Sequence, residues 1–316
     1  MNKEQADIQA KIKAEAIRLG FSDCGFSTIE PLSQEKTFLL TWLKQSYHAD
    51  LQYMANNIDK REHADLLVEE AKSVISLSLN YYKGDISYEF GQAKISKYAL
   101  GRDYHKVVKK KLKALFQYIE ILLPHFKGRY FVDSAPVMDK VWAVKSGLGW
   151  MGKNGNIIHP KRGSFFFIGE IISNLEVESY HDEIQNYCGT CRRCIEACPT
   201  QAIVSNAVID ARRCISYQTI ENKGSIPNNI VPLLNDYIFG CDICQDVCPW
   251  NNKVAISSEI EFGTLDVSKL NYRDYLKMNE EEFNTLFEGS PVKRAGYLKI
   301  QNTVKQILSH RNENLD

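Results

Sequence analysis

Eight of the nine cysteines fall between positions 188 and 248, in a spacing typical of proteins that bind iron–sulfur clusters. The first four fit the motif C-x2-C-x2-C-x3-C-P at every position, and Pro199 closes it. Two-residue gaps let three thiolates wrap one face of a cubane cluster, whereas in two-cluster ferredoxins the fourth cysteine ligates the other cluster. The motif therefore predicts a second set of ligands. Its own four cysteines are Cys188, Cys191, Cys194 and Cys198.

A second set of cysteines lies further along the chain. Its members are Cys214, Cys241, Cys244 and Cys248, and the last three repeat the C-x2-C-x3-C-P ending. Exchange of one cysteine between the sets assigns one 4Fe-4S cluster to Cys188, Cys191, Cys194 and Cys248, and the other to Cys198, Cys214, Cys241 and Cys244. A non-crossed assignment is one alternative. A pair of zinc sites is another, although zinc ribbons usually pair two C-x2-C knuckles without the C-x3-C-P continuation.

Asp133 is the candidate for acid–base chemistry. The segment VDSAPV at 132–137 puts its carboxylate at the end of a predicted strand, just before a helix that Pro136 would start. Such a carboxylate could simply cap the helix. It could also act as a general acid, because partial burial among aromatic neighbours raises the pKa of a carboxyl group toward neutrality. The residues alone leave both interpretations open.

The segment GLGWMG at 147–152 is a literal G-x-G-x-x-G, but a dinucleotide-binding fold requires a strand before it and a helix after it. Here a helical pattern precedes the glycines and a segment rich in Asn, Gly and Pro follows, so NAD is not expected. The glycines could instead present amides beside Trp150, Lys153 and Asn154 to a bulky polar ligand, or form a plain surface turn. Cys24, far from the other cysteines, is expected to be a buried core residue on a strand.

The elements that position these residues divide the chain into three parts. Apolar residues at helical spacing predict a helix over 3–19, and β-branched or aromatic runs at 73–82, 129–134 and 164–172 alternate with helical stretches such as 103–124. This pattern predicts an α+β domain over 1–179. Closely spaced Cys, Pro and Gly predict a bacterial-type dicluster ferredoxin domain over 180–255. A helical segment over 256–316 is expected to pack back on the core.

Composition excludes some classes of protein. Of 316 residues, 44% are apolar and 25% charged, which is too apolar for extended disorder. Lys plus Arg and Asp plus Glu are equal at 39 each, so only a local basic face could hold a nucleic acid. Basic stretches at 105–113, 159–162 and 293–311 could form such a phosphate-binding rim, or could be solvated surfaces. Without a signal peptide or a long apolar run, we expect a cytoplasmic protein with no membrane contact.

The order of the motifs resembles the epoxyqueuosine reductase family over residues 61–294. The motifs are LGRDYH at 100–105, VDSAPV at 132–137, GLGWMGKN at 147–154, the first cysteine motif, RCISYQTIENKG at 213–224 and GCDICQDVCPWN at 240–251. The resemblance implies reduction of epoxyqueuosine to queuosine at the wobble position of tRNA anticodons, the last step of queuosine biosynthesis. It also implies two 4Fe-4S clusters, cobalamin, and a cobalamin domain related to reductive dehalogenases.

Site residues carry over from this resemblance position by position. Asp133 matches the family's proton donor and a cobalamin contact. The other positions expected in segments around the corrinoid are Arg61, Tyr98, Lys153, Asn154, Ser216, Gln218 and Asp242. The chain departs from the family pattern at Asp139, where Glu is usual, and at Gln301, where Arg is usual and its loss would weaken an RNA contact. Many members also continue into a helical-repeat extension that helps to bind tRNA, whereas this sequence ends at residue 316.

The expected reaction takes electrons from an external low-potential donor, one at a time, through the clusters to cobalamin. Asp133 would protonate the oxygen as the C–O bonds break. We expect a monomer. Two other functions remain open: a reductive dehalogenase-like corrinoid enzyme acting on a small substrate, and a dicluster electron-transfer protein without catalysis. The second is disfavoured because more than half of the chain lies outside the cysteine-rich segment.

Overall fold

The computed structural model describes residues 3–89, 91–177 and 184–311. Its strands are β1 Asp23–Thr28, β2 Ser73–Asn80, β3 Lys94–Ile95, β4 Gly128–Phe131, β5 Trp150–Met151, β6 Ile157–Ile158, β7 Phe166–Ser173, β8 Ile203–Ser205, β9 Val208–Ile209 and β10 Tyr237–Phe239. Its α-helices are α1 Lys3–Arg18, α2 Ser33–Lys44, α3 Ile58–Glu62, α4 Tyr104–Leu122, α5 Asp139–Lys145, α6 Arg193–Ala197, α7 Ile215–Ile220, α8 Ile243–Asp246, α9 Tyr272–Lys277, α10 Glu280–Leu286, α11 Val292–Ala295 and α12 Tyr297–His310. Mixed helix and sheet content agrees with the α+β prediction.

A four-stranded sheet of order β1-β2-β7-β4 forms the centre of the N-terminal part, and each neighbouring pair is antiparallel. Both of its faces are covered. Ile75 and Leu77 on β2 join the hydrophobic cluster that includes residues of α1 and α4, whereas Val74 joins the opposite cluster with Trp142 of α5. Coverage on both faces explains why these strands read as continuous apolar runs. The three predicted strand segments are confirmed.

The predicted helices are also confirmed, with small differences at their surfaces. In α1, Ile12 and Ala16 are buried, but Ile17 is half exposed. In the C-terminal α12, most of the expected apolar positions are buried, whereas Leu298 points outward and is 71% exposed. Cys24 lies on β1 and is fully buried, as expected of a core residue. Among the described residues, no helix is both long and apolar enough to span a bilayer.

Helix α5 lies directly against the sheet because Gly25 leaves room for it. A Cβ at Gly25 would stand 1.8 Å from the carbonyl oxygen of Ser146, at the C-terminal end of α5. The helix starts at Asp139, and its preceding residue, Met138, makes no side-chain cap. The expectation that Asp133 caps a helix started by Pro136 is therefore wrong, because the chain stays irregular for five more residues.

The cysteine-rich part is joined to the rest by hydrophobic clusters, the larger of which contains β10 and β3. Strand β10 pairs in parallel with β3, so that Phe239 lies opposite Ile95. The same cluster includes Ile300 and Val304 of α12. The C-terminal helices therefore pack on the cysteine-rich part and on residues 93–100. The domain boundaries at 179 and 255 stay a prediction, and the β3–β10 pair crosses the first of them.

Gly240 fixes the junction just before Cys241. Its φ is +71°, and a Cβ there would lie 2.4 Å from the Cβ of Ser96. The next residue but one, Asp242, accepts a hydrogen bond from the Ser96 hydroxyl and another, of 2.8 Å, from the backbone N–H of Lys97. This close approach holds the second cysteine motif against the N-terminal part.

Gly240→Ala should destabilise the protein through both backbone strain and this clash. Gly289 is the matched control, because its φ is +74° but no atom lies within 4 Å of a Cβ built there. Gly289→Ala should cost about 1 kcal/mol from the backbone alone. Gly240→Ala should cost ~1–3 kcal/mol more, since overpacking adds to the strain. Denaturant unfolding of both variants measures the difference, and equal losses would contradict the close approach.

Candidate active site and iron–sulfur centres

The first cysteine site brings together residues that are far apart in sequence. One cavity is lined by Lys153, Asn154, Ile158, Cys188, Cys191, Arg193, Cys194, Cys248, Pro249 and Trp250. Burial raises the pKa of the Cys248 thiol, and the neighbouring Cys188, Cys194 and Cys191 thiolates add to the effect. Cys248 therefore lies with the first three cysteines of the earlier motif, as the crossed assignment requires.

The second cysteine site has the complementary membership. Burial raises the pKa of the Cys244 thiol, followed by the charges of Cys214, Cys194 and Cys198. Burial likewise raises the pKa of Cys241, with Cys244 and Cys214 as its thiolate neighbours. The charge of Cys198 also acts on Cys214, which agrees with the predicted place of Cys198 in the second site. Since Cys194 also acts on Cys244, the two sites are adjacent, and their ligand assignment stays a prediction.

An aromatic wall shields the first site from water. The indole N–H of Trp150 donates a hydrogen bond of 3.4 Å to Cys188 Sγ. The Trp150 ring packs edge-on against Trp250 at 5.2 Å and against Tyr187 at 5.3 Å between centroids. Hydrogen bonds to sulfur and exclusion of solvent are two of the means by which a protein sets cluster potential. Trp150 supplies both.

Lys153 and Asn154 contact the cysteine loops. The Lys153 ammonium donates hydrogen bonds to the carbonyls of Gly189, at 2.6 Å, and Cys191, at 2.9 Å. The Asn154 amide donates to the Cys244 carbonyl at 3.2 Å and also lines the first cavity. Neither contact supports the corrinoid contacts expected from the sequence, which stay predictions.

The G-x-G-x-x-G segment has a structural explanation. Helix α5 precedes it and strand β5 begins inside it, the reverse of a dinucleotide-binding turn. Gly149 has a φ of +155°, and a Cβ there would lie 2.4 Å from the carbonyl oxygen of Ile158 on β6. The glycines allow the β5–β6 hairpin to close. The prediction that this segment does not bind NAD agrees with this geometry.

Asp133 stands in a hydrogen-bonded group beyond the end of β4. It has a left-handed backbone, with φ +48°. The Tyr104 hydroxyl donates a hydrogen bond to Asp133 Oδ2, and His105 Nε2 lies 3.7 Å from the same oxygen. His105 is oriented in turn by Asp103, whose Oδ1 is 2.8 Å from His105 Nδ1. The Asp133 side chain is 61% exposed, so protein atoms desolvate it only in part.

Charged and aromatic residues from distant segments surround Asp133. Arg294 pairs with Glu221, and the charges of both act on Tyr53 and Tyr98, as does that of Asp133. Burial raises the pKa of the Tyr98 hydroxyl. Tyr98 also packs edge-on against Tyr104 at 6.2 Å. We refer to this group, together with Lys140, as the acid recess: Tyr53, Tyr98, Tyr104, Asp133, Lys140, Glu221 and Arg294.

Lys140 shows that the acid recess is concave. Its side chain is open to solvent, and the ammonium donates a hydrogen bond of 2.7 Å to the Gly155 carbonyl. Dense protein around it nevertheless lowers the pKa of Lys140, a shift that the charges of Asp133 and the Cys244 and Cys214 thiolates oppose. A group that is both accessible and surrounded by protein lines a recess. This recess lies between Asp133 and the second cysteine site.

The other expected cofactor residues make contacts within the protein. Arg61 is buried and donates to the carbonyls of Asn56, at 3.2 Å, and Tyr53, at 2.9 Å. The amide nitrogen of the buried Gln218 donates to the carbonyl of Arg212, and its amide oxygen accepts a hydrogen bond from the Asn222 side chain. Burial raises the pKa of Asp242 to about 6, although the nearby Lys97 opposes the shift. Ser216 is half-buried on α7. Their roles as cobalamin contacts stay predictions.

The structure corrects the role expected for Gln301. Its side chain is 6% exposed and donates hydrogen bonds to the carbonyls of Tyr275 and Met278, the latter at 3.3 Å. It therefore ties α12 to α9 and does not face a nucleic acid. Residues of the acid recess that sequence reasoning left unassigned include Tyr104, Lys140 and Arg294. Tyr104 lies in the LGRDYH motif and Arg294 in a basic stretch. The sequence therefore marked both segments, but it assigned neither residue a function.

Two adjacent four-cysteine sites that border a recess with a candidate acid define an iron–sulfur redox enzyme. Residues 187–251 match the family model "4Fe-4S double cluster binding domain", and residues 61–134 match "Epoxyqueuosine reductase QueG, DUF1730". Epoxyqueuosine reductase of Cellulophaga algicola is 48% identical over 93% of this chain and 95% of its own, and that of Leadbetterella byssophila is 49% identical over 91% and 94%. The chain belongs to the epoxyqueuosine reductase family.

Solved structures agree with this family. The epoxyqueuosine reductase of Streptococcus thermophilus superposes with a TM-score of 0.86 at 30% identity, over 99% of this chain and 83% of its own. An epoxyqueuosine reductase solved with an epoxyqueuosine-modified tRNA stem loop superposes with a TM-score of 0.87 at 27% identity, over 96% and 82%. The fold and the two 4Fe-4S clusters are thereby established, and the pair of zinc sites is ruled out as an interpretation of the cysteines.

Replacement of single cysteines tests the ligand assignment. Cys194→Ala should remove most of the iron of the first cluster and leave the second, because each cluster depends on four thiolates. Cys24→Ala is the matched control, since Cys24 is buried on β1 away from both sites and should leave the iron content unchanged. Iron and acid-labile sulfide analysis with electron paramagnetic resonance measures the loss. Full iron content in Cys194→Ala would overturn the assignment.

Trp150→Phe tests the hydrogen bond to Cys188. The N–H···S bond stabilises the more negative reduced cluster, so its loss should lower the reduction potential. A bond worth ~1 kcal/mol corresponds to about 40 mV for a one-electron couple. Trp250→Phe keeps an aromatic ring in the same wall and should shift the potential much less. A redox titration of the clusters measures both variants, and equal shifts would assign the effect to solvent exclusion instead.

Proposed function

We propose that this protein reduces epoxyqueuosine to queuosine in tRNA, with cobalamin in the acid recess and electrons delivered through the two clusters. The observation that carries the proposal is that Asp133, which accepts a hydrogen bond from Tyr104, and the second cluster site both lie near Lys140, whose ammonium donates to the Gly155 carbonyl. A redox cofactor in this recess would contact the electron source on one side and the candidate acid on the other. The family membership supports the substrate.

The acid recess suits a bulky polar cofactor. Tyr53, Tyr98 and Tyr104 supply ring surface, and Lys140 and Arg294 supply donors for amide oxygens or phosphate. Cobalamin would provide low-valent cobalt, a two-electron reductant for the C–O bonds. The contribution of the chain is to orient the substrate, to exclude water and to hold a proton at Asp133.

The path of electrons follows from the order of the sites. The second cluster site borders the acid recess, since the charges of its Cys244 and Cys214 thiolates act on Lys140. An external low-potential donor would therefore meet the first cluster. The adjacency of Cys194 and Cys244 supports transfer from the first cluster to the second.

Asp133 is proposed as the general acid for the epoxide oxygen. The Tyr104 hydroxyl fixes one carboxyl oxygen, and the Asp103–His105 pair holds a second polar group 3.7 Å away. The left-handed backbone at Asp133 is a strained conformation of the kind found at functional sites. The exposed side chain can be covered by the bound cofactor and substrate, which would supply the desolvation that protein atoms alone do not.

Two of the three basic stretches adjoin the acid recess, which supports tRNA as the partner. The stretch 105–113 begins with His105, and the stretch 293–311 includes Arg294. In the third stretch, Arg162 pairs with Asp23 at 2.6 Å, away from these residues. Phosphate contacts near the recess would position an RNA without help from net charge. A cytoplasmic monomer is part of this proposal.

The proposal is tested by anaerobic reconstitution with iron, sulfide and cobalamin, followed by assay on tRNA containing epoxyqueuosine with a strong reductant. Mass spectrometry of nucleosides should show loss of the epoxide oxygen that depends on cobalamin. Loaded clusters without corrinoid uptake would instead favour a dicluster electron-transfer protein. Corrinoid uptake with turnover of a small halogenated compound but not of tRNA would favour a dehalogenase-like enzyme.

Asp133→Asn should lower the turnover number by about 10²–10⁴-fold, because general acid catalysis typically contributes that much. Cluster and cobalamin content should be unchanged, since the amide keeps the size of the side chain. Ser134→Ala is the matched control at the neighbouring exposed position and should keep most of the activity. A near-normal rate for Asp133→Asn would eliminate Asp133 as the acid.

A further inference from the structure

A pair of buried carboxyl groups lies behind Asp133. Glu170 is on the central strand β7, opposite Phe131 of β4 and Ser76 of β2, and it is 0% exposed. Neither of its carboxyl oxygens has a hydrogen-bond partner among the described residues, and the same holds for Oδ1 of Asp139. The interior of a sheet is an unfavourable place for a carboxylate without a donor.

The carboxyl groups of Glu170 and Asp139 are neighbours. When both are ionised, neither can donate a hydrogen bond to the other. Burial and then the charge of Asp139 raise the pKa of Glu170, and burial also raises the pKa of Asp139. A proton on either group would turn the pair into a donor and an acceptor and would give one oxygen of each carboxyl a hydrogen-bond partner. Like-charged carboxyls in contact typically share one proton in this way.

The charged groups around the pair favour one proton rather than none or two. Arg61 faces Asp139 from α3 and favours one ionised carboxyl, while its Nε and one terminal nitrogen are bound to backbone carbonyls. Lys140 adds a second, more distant cation. The charge of Asp133 acts on both Asp139 and Glu170 and opposes a second ionisation. We therefore expect the pair to hold one proton and to carry one negative charge.

We propose that the Asp139–Glu170 pair stores a proton and returns it to Asp133 after Asp133 has protonated the substrate oxygen. This inference deepens the proposed function and rests on it. Conversion of an epoxide to an alkene breaks two C–O bonds, forms one C=C bond and releases water, and it consumes two electrons and two protons. The clusters and cobalamin deliver the electrons. Asp133 carries one proton at a time, so the second must reach it from another group.

The chain connects the two places directly. Asp133 and Asp139 are the two ends of the segment that leads from β4 to α5, and Glu170 is paired across the sheet with Phe131 at the end of β4. The pair thus lies close to Asp133, where the chain leads from β4 into α5.

Infrared spectroscopy of the resting holoenzyme tests the stored proton without any turnover. Wild type should show the C=O stretch of a protonated carboxyl near neutral pH, and the band should shift in D2O. The difference spectrum against Glu170→Gln should contain this band, which separates it from any contribution of Asp242. A wild-type spectrum without a protonated carboxyl that Glu170→Gln removes would overturn the proposal. A failure of the proposed function leaves this result untouched.

Turnover measurements test the transfer. Glu170→Gln and Asp139→Asn should each lower the rate by about tenfold or more, less than the ~10²–10⁴-fold effect of a general acid itself. The rate should rise with the concentration of a small buffer acid, because an external acid can then reload Asp133. Asp139→Glu should recover activity relative to Asp139→Asn, since it restores the carboxyl. Trp142→Phe removes another unpaired buried donor of α5 and should also be harmless.

Unchanged rates and pH profiles in Glu170→Gln and Asp139→Asn would overturn the transfer step. A loss of activity that no buffer acid restores, with normal cluster and cobalamin content, would assign the pair a structural role instead. If a neutral variant does not fold, the wild-type infrared band and the Asp139→Glu variant still decide, because neither removes the carboxyl pair.

Discussion

The arrangement of the two cysteine motifs depends on iron–thiolate bonding, although apolar residues between the motifs also join a hydrophobic core. The two cysteine-bearing helices, α6 and α8, contain only five and four residues, and burial raises the pKa of most of the motif thiols. Such thiols ionise only when a metal compensates the cost of burying charge, so cluster binding and folding are coupled. In the predicted crossed assignment, the exchange of Cys198 and Cys248 between sites would lock the two motifs together. The acid recess would then depend on this locked unit, since Glu221 comes from it.

Sequence reasoning was most successful where a pattern has only one physical explanation. Cysteine spacing at each position predicted two cluster sites, and apolar runs predicted the strands because both faces of the sheet are covered. It left open the role of any motif residue that could contact either a cofactor or another part of the chain. Lys153 contacts cysteine-loop carbonyls, and Gln218 contacts α7 neighbours. Spacing along the chain does not distinguish these partners.

Other parts of the site could not be predicted because they join residues that are distant in sequence. Arg294 and Glu221 form an ion pair although 73 positions separate them in sequence. The position of Lys140 near the second cysteine site is likewise visible only in the folded structure. Glu170 looked like one polar residue in an apolar strand segment. A buried carboxyl becomes informative only when its neighbours are known, because its protonation depends on Asp139, Asp133 and Arg61 together.

The alternating side chains of strand β7 determine both the orientation of Asp133 and the position of Glu170. On one face, Phe167 stacks on Tyr104 with ring centroids 4.2 Å apart and an interplanar angle of 6°, and Tyr104 in turn holds Asp133. On the other face, Glu170 lies against the start of α5 with Asp139. Because successive side chains point to opposite faces, a shift of one residue in the pairing of β7 would exchange these environments. The register with β2 and β4 therefore sets both the orientation of the acid and the position of the buried carboxyl pair behind it.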